Sequence, residues 1–115
     1  MKFTTSLKRN HEFKRLYNKG NSAASQCVAV YCRRNGKNEN RLGITVSTKL
    51  GGAVQRNRIR RRLKEVYRLN EGKLMAGYDI VIVARMKSGT AGFSELESSV
   101  LFPLKKLNIL AGDKV

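Results

Sequence analysis

Leu42-Gly43-Ile44-Thr45-Val46-Ser47, then Gly51-Gly52, then Val54-Gln55-Arg56-Asn57-Arg58-Ile59-Arg60-Arg61-Arg62-Leu63-Lys64-Glu65-Val66-Tyr67-Arg68-Leu69-Asn70, then Tyr78-Asp79-Ile80-Val81-Ile82-Val83-Ala84: the order of these segments decides the fold. The first alternates, with Leu42, Ile44 and Val46 on one face, and reads as a strand over residues 42–47. The glycine pair breaks the chain. Residues 54–70 then carry apolar side chains at helical spacing, with Ile59, Leu63, Val66 and Tyr67 in one stripe. Arg60, Arg61, Lys64 and Arg68 fall opposite that stripe, Arg56 and Arg62 flank it, and Glu71-Gly72-Lys73 ends the helix. The β-branched run over residues 78–84 suits a strand covered on both faces. Strand, helix and strand in this order form a crossover between parallel strands, for which the general rule is a right-handed connection.

On the N-terminal side, Asn10 is placed to cap a helix over residues 11–19, with Gly20 at its stop. Phe13, Leu16 and Tyr17 share one face of it, and Lys8, Arg9, Lys14, Arg15 and Lys19 crowd the rest. Residues 26–33 alternate as a strand, Cys27, Ala29 and Tyr31 pointing one way and Val28, Val30 and Cys32 the other. Asn35-Gly36 opens a polar loop to Asn40 that suits a hairpin, and residues 21–25 can add a short edge strand. On the C-terminal side, Ser94-Glu95-Leu96-Glu97 is a capping box opening a last helix, with Leu96, Val100, Leu104 and Leu107 inward. Pro103 should kink or stop it, and the residues after Leu110 read as a frayed tail. The expected architecture is α+β: a single domain over residues 1–115 in which a small mixed sheet of three to four strands packs with three helices, in the order α-β-β-(β)-α-β-α.

Composition narrows the function. The chain has 115 residues, 24 Lys and Arg against 8 Asp and Glu, and a net charge of +16. Such an excess makes a compact fold repel itself and points to an anionic partner. The longest uninterrupted apolar run, residues 27–32, is too short to span a bilayer, and the first nine residues have no apolar stretch of the kind a signal peptide needs. A soluble, cytoplasmic protein with no membrane partner is expected. Cys27 and Cys32, five apart in one strand, fall on opposite faces and cannot bridge each other. One histidine, His11, and two cysteines fall short of a structural zinc site, the eight acids are scattered, and no Gly-rich phosphate loop is present. Glu95 and Glu97 fit the start of a helix, where negative charge is favoured. No catalytic residue and no small-molecule substrate are expected; the chain reads as a binding protein.

The basic helix carries that binding. Between Arg56 and Arg68 there are seven Arg or Lys and one acid, Glu65. A solvated helix face ordinarily mixes Glu with Lys at i,i+4. Here Arg dominates, and its planar fork suits phosphate. Gln55 and Asn57 are the only base-reading amides near the helix start, so backbone binding is favoured over sequence reading. Phe13, Tyr17 and Tyr31 have two readings: ordinary core, or a stacking platform for a single strand.

Arg41-Leu42-Gly43-Ile44-Thr45-Val46-Ser47-Thr48-Lys49, followed by Ala53-Val54-Gln55-Arg56-Asn57-Arg58-Ile59-Arg60-Arg61, resembles the signature of the bacterial ribonuclease P protein subunit: a G-x-x-V-S strand, a short loop and an "RNR" helix. Asn10-His11-Glu12-Phe13 and Tyr17 match the family's first helix, and residues 79–85 its last strand. Gly52 stands where the family often has Asn, and Thr48 where Lys is common. The resemblance implies assembly with a catalytic RNA that uses Mg²⁺ to remove the 5′ leader of precursor tRNA. It implies a left-handed crossover around the basic helix. It also implies that Lys49, Arg56, Asn57, Arg58, Arg60 and Arg61, with Lys64 and Arg68 further along the helix, face the RNA subunit. Phe13, Tyr17 and Tyr31, rimmed by Lys14 and Arg15, would line a cleft for the single-stranded leader. A structural RNA-binding protein such as a small ribosomal protein is the rival reading, and a DNA-binding regulator the third.

Overall fold

Ile80, Val81 and Ile82 are all fully buried, so the β-branched run does occupy the covered middle of a sheet. The computed structural model describes residues 3–110. In chain order its elements are β1 (Thr4–Ser6), α1 (Asn10–Lys19), β2 (Asn21–Ala24), β3 (Val28–Arg34), β4 (Asn40–Thr45), α2 (Ala53–Asn70), β5 (Tyr78–Ala84) and α3 (Phe93–Lys106), with short 3₁₀ turns before and after α2 and after β5. The sheet has five strands in the order β1-β4-β5-β3-β2. β4 runs parallel to β5 across the α2 crossover, β1 runs parallel to β4, and β3 is antiparallel to both β5 and β2.

α2 and α3 cover one face. Ile59, Leu63, Val66 and Tyr67 of α2 and Leu96, Val100 and Leu104 of α3 join Val28, Val30, Cys32, Leu42, Ile80 and Ile82 in the main core. Burying each large apolar side chain contributes roughly 1.5–3 kcal/mol, so the α2 stripe fixes which arginines remain outside. α1 covers only part of the other face, through a small cluster of Leu7, Leu16 and Val81 with Phe13, Tyr31 and Val83 packed against it.

Several expectations are corrected. The sheet has five strands rather than three to four. The extra one, β1, is three residues long and has no apolar alternation. It is held by distant partners: the Thr4 hydroxyl meets the Tyr67 hydroxyl at 2.9 Å, and the Phe3 N–H donates to Glu71 Oε2 at 3.3 Å. The loop between β3 and β4 is not a hairpin, because β5 lies between those strands. The tight hairpin is β2–β3, closed by the Ser25 N–H on the Val28 carbonyl at 2.8 Å. Asn10 is the first residue of α1 rather than its cap. Arg9 takes the cap position, its N–H directed at Glu12 Oε1 at 3.4 Å. Cys27 precedes β3 and does not follow its alternation, so both cysteines lie buried as free thiols in the same core. Ser94 caps nothing: α3 begins at Phe93 behind Gly92.

Pro103 neither stops nor ends α3, which continues to Lys106. A helical proline leaves the carbonyl four residues earlier without its N–H partner. That carbonyl belongs to Ser99, and the Ser25 hydroxyl donates to it at 2.6 Å. The expected frayed tail after Leu110 lies outside the described residues. Beneath β1, the fully buried Asn40 donates to the Met75 carbonyl at 3.1 Å and accepts from the Tyr78 N–H at 2.9 Å, so one amide joins β4, β5 and the turn before β5.

Candidate nucleic-acid interface

The buried stripe of α2 leaves a long cationic face. Asn57, Arg58, Arg61, Lys64 and Arg68 are exposed, and Arg56, Arg60 and Arg62 are half-buried. Three of these side chains are already engaged with the protein. Arg56 Nε donates to the Gly51 carbonyl at 3.2 Å, and Arg62 donates to the Ala91 carbonyl at 2.7 Å. Arg68 forms a two-pronged pair with Glu65 at 2.8 and 2.7 Å, a local partner the sequence reading overlooked. Arg60 donates to the Asn57 side chain at 2.9 Å, a contact within α2 that leaves its charge unneutralised. Among the described residues, no carboxylate pairs with Arg58, Arg60, Arg61 or Lys64. These four remain available to an anionic partner.

They do not all face one way. Asn57, Arg60, Arg61 and Lys64 line one shallow hollow with Val54. Arg58 lies on the other flank, in a recess with Leu50, Gln55, Arg62 and Met86. Lys49 is exposed on the 3₁₀ turn before α2, where the Ser47 hydroxyl accepts its N–H at 3.2 Å. Gly51 holds φ +131°, a backbone conformation that L side chains rarely adopt, so the turn favours glycine there.

The aromatic residues converge on the α1 side of the sheet. Residues 41, 43 and 45 of β4 point their side-chain positions at α1 and each meets it. Arg41 pairs with Glu12. Gly43 lies under the Phe13 ring so closely that a Cβ would sit 2.6 Å from it. Thr45 Oγ1 meets the Tyr17 hydroxyl at 3.1 Å. Tyr17 and Tyr31 pack edge to face with centroids 5.0 Å apart. Asn10, Phe13, Lys14, Tyr17 and Thr45 line an open hollow, and Tyr17 keeps 39% of its surface exposed. Arg15, expected at the rim, is exposed on α1 but does not line this hollow. Phe13 serves the small core as well as the hollow, whereas Tyr31 packs against the small core and the Tyr17 ring and does not line the hollow.

The sequence reading missed Arg41. Its guanidinium is bidentate on Asp79, at 2.8 and 2.6 Å, and also holds Glu12, while Asn35 Nδ2 supports Asp79 at 3.0 Å. Hydrogen bonding to Asp79 and Glu12 outweighs burial and raises the Arg41 pKa, so it stays charged. Burial alone would raise the Glu12 carboxyl, but Arg41 and the Arg9 N–H bring it below the usual carboxylate range. The triad pins α1 to the sheet. Gly43, by contrast, had a legible signal: a glycine inside a strand marks close approach.

A further cleft, of about 400 Å³, joins the α2 hollow to the ring hollow and is lined by Thr4, Thr5, Ser6, Phe13, Arg60 and Lys64 among others. It shares Phe13 with the ring hollow and Arg60 and Lys64 with the α2 hollow. Shared lining residues thus form a track from the Tyr17 and Phe13 rings on the α1 side, around the edge of β4, to cations without a carboxylate partner among the described residues. Rings beside cations are what hold a nucleic-acid strand by stacking and phosphate contact. Among the described residues, no three His, Cys, Asp or Glu side chains group to hold a metal ion, and no helix is long and apolar enough to cross a membrane.

Known proteins resemble this chain in sequence and in fold. A profile of the family described as Ribonuclease P matches residues 1–108. The ribonuclease P protein component of Alkaliphilus oremlandii is 44% identical over 110 residues, covering 96% of each chain. That of Clostridioides difficile is 40% identical over 107 residues, covering 92% of this chain and 94% of the relative. The RNase P protein of Staphylococcus aureus superposes with a TM-score of 0.83 at 33% identity, over 94% of this chain and 97% of the other. That of Thermotoga maritima gives 0.77 at 29% identity, over 96% and 98%. With matching profile, similar relatives and the same fold, the chain belongs to the bacterial ribonuclease P protein family.

Proposed function

We propose that this chain assembles with the catalytic RNA of ribonuclease P in the cytoplasm and holds the single-stranded 5′ leader of precursor tRNA while that RNA, with Mg²⁺, cleaves the leader off. The chain's own side chains supply no metal cluster among the described residues, so the metal chemistry is assigned to the RNA. The observation carrying the reading is the track: rings on the α1 side linked through shared lining residues to Arg60, Arg61 and Lys64, none of which pairs with an acid among the described residues. Lys49, Arg56, Asn57, Arg58 and Arg68 extend the surface facing the RNA subunit, Arg68 after releasing Glu65. Phe13, Tyr17 and Tyr31 hold leader bases, with Lys14 beside them and Arg15 further out. An unstacked strand can be gripped this way without a duplex to read.

Tyr17→Ala separates this reading from a core role, because the ring is more than a third exposed. In the reconstituted holoenzyme, binding is compared for precursor tRNA and for mature tRNA that lacks a leader. Loss of one stacked base costs about 1–3 kcal/mol, roughly tenfold to a hundredfold, and is expected only with the leader present. Equal loss on both substrates would refute leader binding. For the RNA subunit, Arg60→Ala and Arg61→Ala are each expected to flatten the log affinity against log salt slope by about 0.7–0.9, with unchanged melting. An unchanged slope in both variants would refute the cationic face.

A further inference from the structure

The middle cleft differs in chemistry from the two hollows it joins. Thr5 and Ser6 are exposed, and neither hydroxyl has a partner among the described residues, whereas the Thr4 hydroxyl is taken by Tyr67. β1 also ends too soon to cover β4. The Asn40 N–H donates to the Phe3 carbonyl and the Leu7 N–H to the Leu42 carbonyl, so even-numbered β4 residues direct their backbone groups at β1. Ile44 is next in that series and lies beyond the last β1–β4 bond, so its N–H and C=O border the cleft at an open sheet edge. Thr5 pairs with Arg41 and Ser6 with Leu42, so the two hydroxyls flank the sheet edge on opposite faces. Thr5 lies on the α1 side with Phe13, Ser6 on the α2 side with Arg60 and Lys64, and the open Ile44 peptide on the edge between the faces.

We infer that this cleft holds one ribonucleotide of the leader and recognises its 2′-hydroxyl, so that the track distinguishes RNA from DNA at that nucleotide. The inference rests on the leader reading above and adds to it a sugar contact. A base stacked toward Phe13 on one face and a phosphate at Arg60 and Lys64 on the other leave the ribose at the Ile44 edge, with the Thr5 hydroxyl on one side of it and the Ser6 hydroxyl on the other. A 2′-hydroxyl both donates and accepts, which suits hydroxyls and a free peptide; a deoxyribose would leave them unanswered.

The test uses the reconstituted holoenzyme and precursor tRNAs carrying a single 2′-deoxy substitution at each leader position in turn. With the wild-type chain, one position is expected to lose about threefold to tenfold in affinity, the worth of one or two such hydrogen bonds. With Thr5→Val and Ser6→Ala combined, the loss at that position is expected to vanish, while mature tRNA binds unchanged. Insensitivity at every leader position overturns the inference, as does a sensitivity that persists in the double variant. If that variant instead weakens the RNA subunit and mature tRNA alike, the cleft belongs to the RNA subunit and the inference falls. Tyr17→Ala keeps the two claims apart: if it loses leader preference while no deoxy position matters, the leader reading stands and the sugar contact does not.

Discussion

Removing the Ser25 hydroxyl should expose the weakness that Pro103 builds into α3. The proline has no N–H for the Ser99 carbonyl, and Ser25 Oγ supplies the missing donor at 2.6 Å from a different part of the chain. Ser25→Ala leaves that half-buried carbonyl without a protein partner, at a cost of about 1–2 kcal/mol. Unfolding entropy near the melting point is about 2.1 cal/mol/K per residue, hence ~0.24 kcal/mol/K for a chain of this length, so Tm should fall by about 4–8 °C. The same substitution made in a Pro103→Ala background should cost less than about 0.5 kcal/mol, because an alanine at that position restores the helical N–H. Calorimetry or circular dichroism on the four proteins of this cycle gives the answer. An unchanged Tm in Ser25→Ala, or an equal drop in both backgrounds, would show that the hydroxyl does not stand in for the missing helical bond.

Gly43→Ala places a methyl within the Phe13 ring's volume, so a loss of about 1–3 kcal/mol in stability and weaker binding of leader-bearing tRNA are expected; unchanged binding of both tRNA forms would detach ring position from substrate. Glu12 ordinarily titrates near 4.5 and lies lower in the fold, so its contribution is full above 4.5 and is lost as pH falls through the folded value. The Tm gap between the wild type and Glu12→Gln should therefore narrow between about pH 6 and about pH 3, and a constant gap would deny the link to Arg41. Burial pushes the Cys32 thiol up to about 11, so a thiol reagent near neutral pH should modify it only as the protein unfolds; rapid labelling of the folded protein at Cys32 would contradict its burial.

The parts of the fold that could be read in the sequence were those whose pattern repeats. The α2 stripe, the buried middle of β5 and Leu96, Val100 and Leu104 of α3 each announce themselves through several residues at one period and stand as read, while Leu107 follows the helix end and is half-buried. What was illegible depends on single distant partners. β1 is three polar residues whose place is set by Tyr67, Glu71 and the edge of β4. The hairpin expectation failed at Asn35-Gly36 because a good turn says nothing about a later strand that inserts between its arms. For the site, arginine-rich spacing identified the α2 face, but the sequence could not show that Arg68 is occupied by Glu65 or that Arg56 and Arg62 are tied to carbonyls. Arg41 drew no attention because its two acids lie 29 and 38 residues away.

β5 is the middle strand of the sheet and the last of the five in the chain. Both strands that hydrogen-bond to it are made first, and neither pairs with the other. During synthesis the β1–β4 and β2–β3 pairs therefore emerge as two halves with no strand between them. Non-local pairing of this kind is slow because loop closure precedes its reward. The basic helix leaves the ribosome in that interval, before the strand that completes its platform. A polyanion that binds the finished fold and not the separate halves would therefore favour their closure around the strand that arrives last.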